Sequence, residues 1–173
     1  AKLLDPGVQE GMTDPDDIPA PPDEAITKPG DLWILGEHRL LCGDSSKPAD
    51  LDRLLDGQLI HLCNTDPPYN VNYANRADQK REGKSRPILN DALGNDFGTL
   101  LYDACVNILT VTKGAVYICM SSSELDRLQK AFREAGGKWS TFVIWAKNTF
   151  ALGRADYHQQ FEAMLYGWKA GAQ

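Results

Sequence analysis

The sequence lacks long apolar runs, paired cysteines and closely spaced glycines. No apolar stretch approaches the ~20 residues that a membrane-spanning helix needs, and the first residues do not show the basic-then-apolar layout of a secretion signal. Cys42, Cys63, Cys105 and Cys119 form no Cys-x-x-Cys pair, which argues against zinc or a disulfide framework. We therefore expect a cytoplasmic protein with reduced thiols, no metal site and no contact with a membrane.

The chain also lacks a basic excess, because its net charge is −6. Residues 1–31 hold eight acids and two bases, whereas the rest of the chain carries sixteen of each. Six of the ten prolines lie in residues 1–30. We expect residues 1–31 to form an acidic, proline-rich leader or linker and residues 32–173 to form one domain. Any basic surface on that domain must be local.

The apolar spacing of the remaining chain alternates between strand-like and helix-like segments. The predicted elements are a hairpin over 32–42, helices over 48–55, 97–109 and 121–135, and strands over 58–65, 115–120, 139–145 and 161–168. This order predicts an α/β fold, a doubly wound, mostly parallel sheet flanked by helices. The last two strands are expected to form an antiparallel edge of that sheet.

The tetrapeptide Asp66-Pro67-Pro68-Tyr69 directly follows the predicted strand over 58–65. An exocyclic amine on a nucleobase is a poor nucleophile, and acceptors aimed at its N–H bonds free its lone pair for attack. Asp66 offers a carboxylate and Pro67 a carbonyl, and the two prolines restrict the backbone that carries both acceptors. Tyr69 offers a ring for stacking, which contributes about 1–3 kcal/mol per base. This arrangement suits methylation of a base that is flipped out of the duplex.

The segment from Thr65 to Asn70 resembles the catalytic motif of the DNA amino-methyltransferases that use S-adenosylmethionine. Aspartate at its first position resembles the N6-adenine enzymes more than the N4-cytosine enzymes. The resemblance implies a methyltransferase Rossmann-like fold over about residues 31–170, with Asp66, Pro67, Pro68 and Tyr69 as catalytic residues. It also implies that Asp44, after Gly43, contacts the cofactor together with Asp66. From the residues alone, Asp44 is equally well a turn or helix-cap residue.

Two further segments resemble parts of the same family that lie near the target base. They are Trp145-Ala146-Lys147-Asn148 and the His158-x-x-x-Glu162 pattern. A locally basic stretch after the motif suits phosphate contacts, which would make DNA binding sensitive to salt. The predicted DNA contacts are Asn70, Arg76, Lys80, Arg81, Lys84, Arg86 and Lys147.

No Gly-x-Gly turn of the kind that admits the cofactor occurs in the chain. In family members in which Asp-Pro-Pro-Tyr comes first, a Phe-x-Gly-x-Gly segment follows nearer the C-terminus. The resemblance therefore implies the catalytic part of a permuted enzyme, with an incomplete fold and a missing C-terminal cofactor-binding half. A side of the sheet left uncovered by that missing half would expose apolar surface. We therefore expect instability or self-association, such as a homodimer.

Three alternatives to an N6-adenine DNA methyltransferase stay open from the sequence. The first is an N4-cytosine DNA methyltransferase with the same chemistry. The second is methylation of RNA or of a protein amide, whose enzymes place the glycine-rich segment before the motif. The third is a non-catalytic remnant of the fold that binds DNA or a partner chain, which the absent glycine-rich turn favours and the pairing of Asp66 with Tyr69 disfavours.

Overall fold

The structure is a computed structural model that describes residues 24–75, 87–150 and 156–171. The strands are β1 (Leu32–Leu35), β2 (His38–Leu41), β3 (Ile60–Thr65), β4 (Thr112–Met120), β5 (Gly137–Ala146) and β6 (Phe161–Lys169). The helices are α1 (Pro48–Leu55), α2 (Phe97–Val111) and α3 (Leu125–Glu134). Within the described residues, no helix is long and apolar enough to cross a membrane.

The first elements are local structures that the sequence predicts well. Strands β1 and β2 form an antiparallel hairpin in which Leu32 pairs with Leu41, and Gly36 in its turn has φ of +65°. Helix α1 begins at Pro48, where the missing N–H costs nothing, and ends before Asp56 in the left-handed conformation. Both the hairpin and the bounds of α1 are confirmed.

The main sheet has four strands in the order β3-β4-β6-β5. Strand β4 is parallel to β3 but antiparallel to β6, and β6 is antiparallel to β5. Strands β3, β4 and β5 therefore end at one edge of the sheet, where β6 begins. We call this the cavity edge, and the edge at which β3, β4 and β5 begin the far edge.

The sheet is thus mixed, and three of its four strands point the same way. The expected antiparallel pairing of the last two strands is confirmed. These two strands also lie together at one edge of the sheet, as expected, with β5 outermost and β6 between β4 and β5. The alternating buried residues Ala163, Leu165 and Gly167 explain this place, because an interior strand is covered on the face they share.

The hydrophobic core lies between one face of the sheet and helices α2 and α3. Its buried members come from both helices and from β4 and β6: Phe97, Leu101, Cys105, Leu109, Val116, Ile118, Met120, Leu128, Ala131, Phe132 and Leu165. Each fully buried Leu or Phe side chain contributes about 1.5–3 kcal/mol. Both helices lie on this one face of the sheet. A doubly wound fold has helices on both faces, so that part of the predicted fold stays a prediction.

Helix α3 starts differently from the predicted capping box. The Ser121 hydroxyl accepts a hydrogen bond from the Ser123 N–H at 3.4 Å, and a 3-10 turn over Ser122–Glu124 precedes the helix. The Glu124 side chain does not return to the cap but forms an ion pair with Arg127 at 3.2 Å. The predicted capping box is therefore wrong in detail, because Ser121 accepts from the N–H of Ser123 rather than of Glu124, and the Glu124 side chain pairs with Arg127.

At the far edge, β3 and β4 approach each other more closely than a side chain allows. A Cβ atom on Gly114 would lie 2.0 Å from the His61 carbonyl oxygen. The register between the two strands also shifts between Ile60 and Leu62. Gly114 is therefore required for this close approach of β4 to the start of β3.

Candidate active site

The predicted motif begins where β3 leaves the sheet at the cavity edge. Thr65 is the last residue of β3 and pairs with Ile118, and Asp66-Pro67-Pro68-Tyr69 follows directly. Since proline has no N–H to donate to the ladder and fixes φ, the strand must end here. Asp66 is exposed, whereas Tyr69 is half-buried and packs against the core.

A buried aspartate that sequence reasoning missed holds the chain after the motif. The side chain of Asp91 accepts hydrogen bonds from the backbone N–H groups of Tyr69 at 3.2 Å, Val71 at 3.2 Å and Tyr73 at 2.7 Å. Its own carbonyl accepts from the Asn72 N–H at 2.8 Å. Asp91 is 3% exposed, so it forms an internal clamp on the motif segment.

Asparagines give this segment its shape. Asn70, Asn72 and Asn90 have φ of +58°, +50° and +64°, a left-handed conformation that asparagine tolerates better than most residues. The Asn70 amide oxygen accepts from the Gly94 N–H at 2.9 Å, and its NH₂ donates to the Gly94 carbonyl at 3.2 Å. The Asn70 side chain therefore links this segment to Gly94 by hydrogen bonds within the chain. Its predicted contact with DNA stays a prediction.

The motif residues line a cavity of about 600 Å³ at the cavity edge. Its walls come from the ends of β3, β4 and β5, the start of β6, and the segment clamped by Asp91. The lining residues are Asp66, Pro67, Pro68, Tyr69, Val71, Tyr73, Ile88, Asp91, Met120, Ser121, Ser122, Lys147, Gln159, Phe161, Glu162 and Ala163. In α/β sheets, ligands bind at this kind of edge, and this volume is typical of a ligand site.

Tyr69 stays a neutral phenol in this cavity. Burial raises its pKa most, and its side-chain hydrogen bond with Asp66 and the nearby charges of Asp66 and Glu162 raise the pKa further. The phenol therefore donates to the Asp66 carboxylate at working pH. The sequence predicts the stacking ring of Tyr69 but not this bond, which ties the ring to the carboxylate.

Across the cavity, Lys147 and Glu162 form an ion pair. The two side chains are 35% and 30% exposed, so the pair is neither buried nor fully in solvent. The Lys147 ammonium also lies 4.7 Å from the centre of the Trp145 ring. The structure thus brings Lys147 into the cavity wall rather than onto the outer surface.

Asp44 lies outside this cavity. Its carboxylate accepts hydrogen bonds from the Ser46 hydroxyl at 2.7 Å and the Ser46 N–H at 3.0 Å, a turn closed by a side chain. The Ser46 hydroxyl, and after it the Ser46 N–H, hold the pKa of Asp44 below its ordinary value. The structure supports the turn interpretation of Asp44, and its contact with a cofactor stays a prediction.

Five of the predicted DNA contacts cannot be compared with the structure. Arg76, Lys80, Arg81, Lys84 and Arg86 lie outside the described residues. What the described residues bring together is a carboxylate, a phenol, an ion pair and two prolines around one open cavity. Chemically, this set offers hydrogen-bond acceptors and an aromatic face to a flat, amine-bearing ligand.

No protein-family model and no curated protein sequence matches the chain. Among solved structures, the chain is similar to M1.HpyAVI in its complex with SAM, with 17% identity, a TM-score of 0.47, and coverage of 75% of this chain and 54% of that one. It is also similar to TTHA0409 from Thermus thermophilus, provisionally described as a DNA modification methylase. There the identity is 16% and the TM-score 0.49, with coverage of 76% of this chain and 53% of that one. The chain therefore spans about half the length of these structures.

Proposed function

We propose that the chain carries the amine-binding part of a DNA methyltransferase that transfers a methyl group from S-adenosylmethionine to N6 of adenine. The observation that carries this proposal is that Asp66 and Tyr69 line one open cavity at the cavity edge of the sheet. If the side chains of Asp66 and Tyr69 were buried with no cavity beside them, the proposal would be excluded. The cavity of about 600 Å³ has room for a single extruded base.

The chain's own residues prepare the amine for attack. The Asp66 carboxylate and the Pro67 carbonyl accept its two N–H bonds, so its lone pair is released from the ring and points into the cavity. The prolines and the Asp91 clamp hold these acceptors in place before the base arrives, which reduces the entropy lost on reaching the reactive geometry. Tyr69 packs against the core and supports the base with its ring.

S-adenosylmethionine, when bound, supplies an electrophilic methyl group on a sulfonium centre. The donor set of the cavity fits such a group, because the carboxylate of Asp66 favours a positive charge nearby. After the N–C bond forms and the C–S bond breaks, the amine carries an extra proton, which Asp66 can accept and pass to water. We place the glycine-rich cofactor segment outside these 173 residues, since the sequence contains no Gly-x-Gly.

Replacement of Asp66 tests the proposal in the enzyme at its full natural length. We expect Asp66→Ala to lower methyl transfer to DNA by about 10³-fold or more, because the variant loses the preset acceptor of the amine. The measurement is tritium transfer from S-adenosylmethionine, with nucleoside analysis of the product to separate N6-methyladenine from N4-methylcytosine. Cofactor binding, followed by calorimetry, should change far less than turnover.

Asp103→Ala is the matched control, because Asp103 is an exposed acid on α2. Its turnover should equal that of the wild type. Full activity of Asp66→Ala beside an active wild type would exclude the proposal. DNA that gains only N4-methylcytosine would replace adenine by cytosine as the target.

A further inference from the structure

Lys147 is held in place from three sides. Its backbone N–H donates to the Gln160 carbonyl at 2.9 Å, and its carbonyl accepts from the Gln160 side chain at 3.0 Å. Its ammonium pairs with Glu162 and lies over Trp145. A lysine that contacts phosphate needs an ammonium free to turn toward solvent, and these contacts hold this one at the cavity wall.

Glu162 shares its surroundings with the motif carboxylate. Both Asp66 and Glu162 line the cavity, and the negative charges of both act on Tyr69 and on Cys119 of β4. Two carboxylates that share one site repel each other, and a cation paired with one of them weakens that repulsion. Lys147 is the single cationic side chain among the described residues that line this cavity.

On the basis of the proposed function, we infer that Lys147 is a positioning residue: it pairs with Glu162 at the cavity wall and so leaves the Asp66 carboxylate without a cationic partner and available to the target amine. This assigns Lys147 to the reaction rather than to the DNA backbone. Glu162 in turn holds the ammonium away from Asp66, with which Lys147 would otherwise pair. The charged and titratable groups around the pair are Asp66 and Tyr69 after β3, Cys119 on β4, and Asp91 and Tyr73 in the clamped segment.

The test compares Lys147→Met with the double variant Lys147→Met/Glu162→Gln in the enzyme at its full natural length. We expect the single variant to lower kcat about 10-fold or more at pH 7 while the KM for DNA changes less, because a positioning role acts on turnover rather than on binding. The double variant also replaces Glu162, the carboxylate that loses its cationic partner when Lys147 is replaced. We expect it to regain most of the lost kcat, as coupled residues do in a double-mutant cycle. Lys147→Arg should retain most of the activity.

Lys138→Met is the matched control, because Lys138 also lies on β5 and its ammonium lies 5.4 Å from the Trp168 ring. Its kcat and its KM for DNA should equal those of the wild type. The salt dependence of DNA binding gives a readout that does not depend on turnover. A positioning role leaves the slope of log K against log salt unchanged, whereas loss of a phosphate contact lowers it by about 0.9.

A double variant as impaired as Lys147→Met, with a reduced salt slope, would overturn the inference in favour of a phosphate contact. A single variant with wild-type kcat would overturn it as well. An inactive wild-type enzyme would instead exclude the proposed function, and it is recognised before any variant is made. Unfolding curves for each variant separate loss of kcat from loss of fold.

Discussion

At each end of strand β5, a lysine ammonium lies over a tryptophan ring. Lys147 lies 4.7 Å from the centre of the Trp145 ring, and Lys138 lies 5.4 Å from that of Trp168. Lys147 also pairs with Glu162 beside a cavity, whereas Lys138 has no carboxylate partner among the described residues. A cation over a ring contributes only about 0.5–1 kcal/mol at an exposed position, so this contact alone does not identify a site. The carboxylate and the cavity distinguish the two ends.

The same contrast holds for the two edges of the sheet. The cavity edge is built largely from loop residues after β3, and the buried carboxylate of Asp91 accepts hydrogen bonds from their backbone. The far edge is built by close packing, as at Gly114 against His61. Changes at the cavity edge should therefore affect stability and function together, whereas changes at the far edge should affect stability alone.

Asp91→Ala should have the largest effect, because it removes the acceptor of three backbone N–H groups in a buried place. We expect the free energy of unfolding to fall by about 3 kcal/mol. Urea unfolding measures this change. Methyl transfer per folded molecule should also fall, since the motif loses its clamp.

Asp103→Ala again serves as the exposed control, with an expected change of less than about 0.5 kcal/mol. If Asp91→Ala lost stability but kept full turnover per folded molecule, the clamp would have no part in positioning the motif. The contrast between the two edges would then fail.

Gly114→Ala tests the far edge. Its new Cβ would lie 2.0 Å from the His61 carbonyl oxygen, so the strands must move apart. We expect a loss of about 1–3 kcal/mol in unfolding free energy with unchanged turnover per folded molecule. Gly98→Ala is the matched control inside α2, where a Cβ meets nothing within 4 Å. It should stabilise the chain by about 0.5–1 kcal/mol, and a loss there would contradict this reasoning.

Asp44→Asn should have the smallest effect, because asparagine can still accept the Ser46 N–H bond. The pKa of Asp44 is lowered from 3.8 in the folded chain, so its charge stabilises the fold above that value. This contribution is lost as the pH falls through the lowered pKa. Urea unfolding of both proteins between about pH 2 and 6 should show the wild-type advantage shrinking as the pH falls. An advantage that grows on acidification would contradict the assignment.

Local sequence signals predict the elements of this fold well. Pro48 marks the start of α1, and apolar spacing places α2 and the strands within a few residues of their bounds. The position of β6 between β4 and β5 has no local signal, because the order of strands in a sheet is decided by packing between distant segments.

The candidate site shows the same division. The motif Asp66-Pro67-Pro68-Tyr69 can be read from the sequence, since its chemistry lies in adjacent residues. Asp91 cannot, because it acts through hydrogen bonds to residues about twenty positions earlier. The pairing of Lys147 with Glu162 likewise depends on the register of β5 with β6, in which Trp145 is opposite Glu162. The register between two strands that are distant in the sequence cannot be predicted from a single sequence.

Because β6 runs against its neighbours, the end of β5 and the start of β6 lie side by side at the rim of the cavity. Lys147 and Gln160 tie the two ends of the connection from β5 to β6 by hydrogen bonds in both directions. Residues inserted between these two positions would lengthen the rim while leaving the core and the motif untouched. The fold therefore offers a position beside the cavity where the chain can lengthen without a change in the core or the motif.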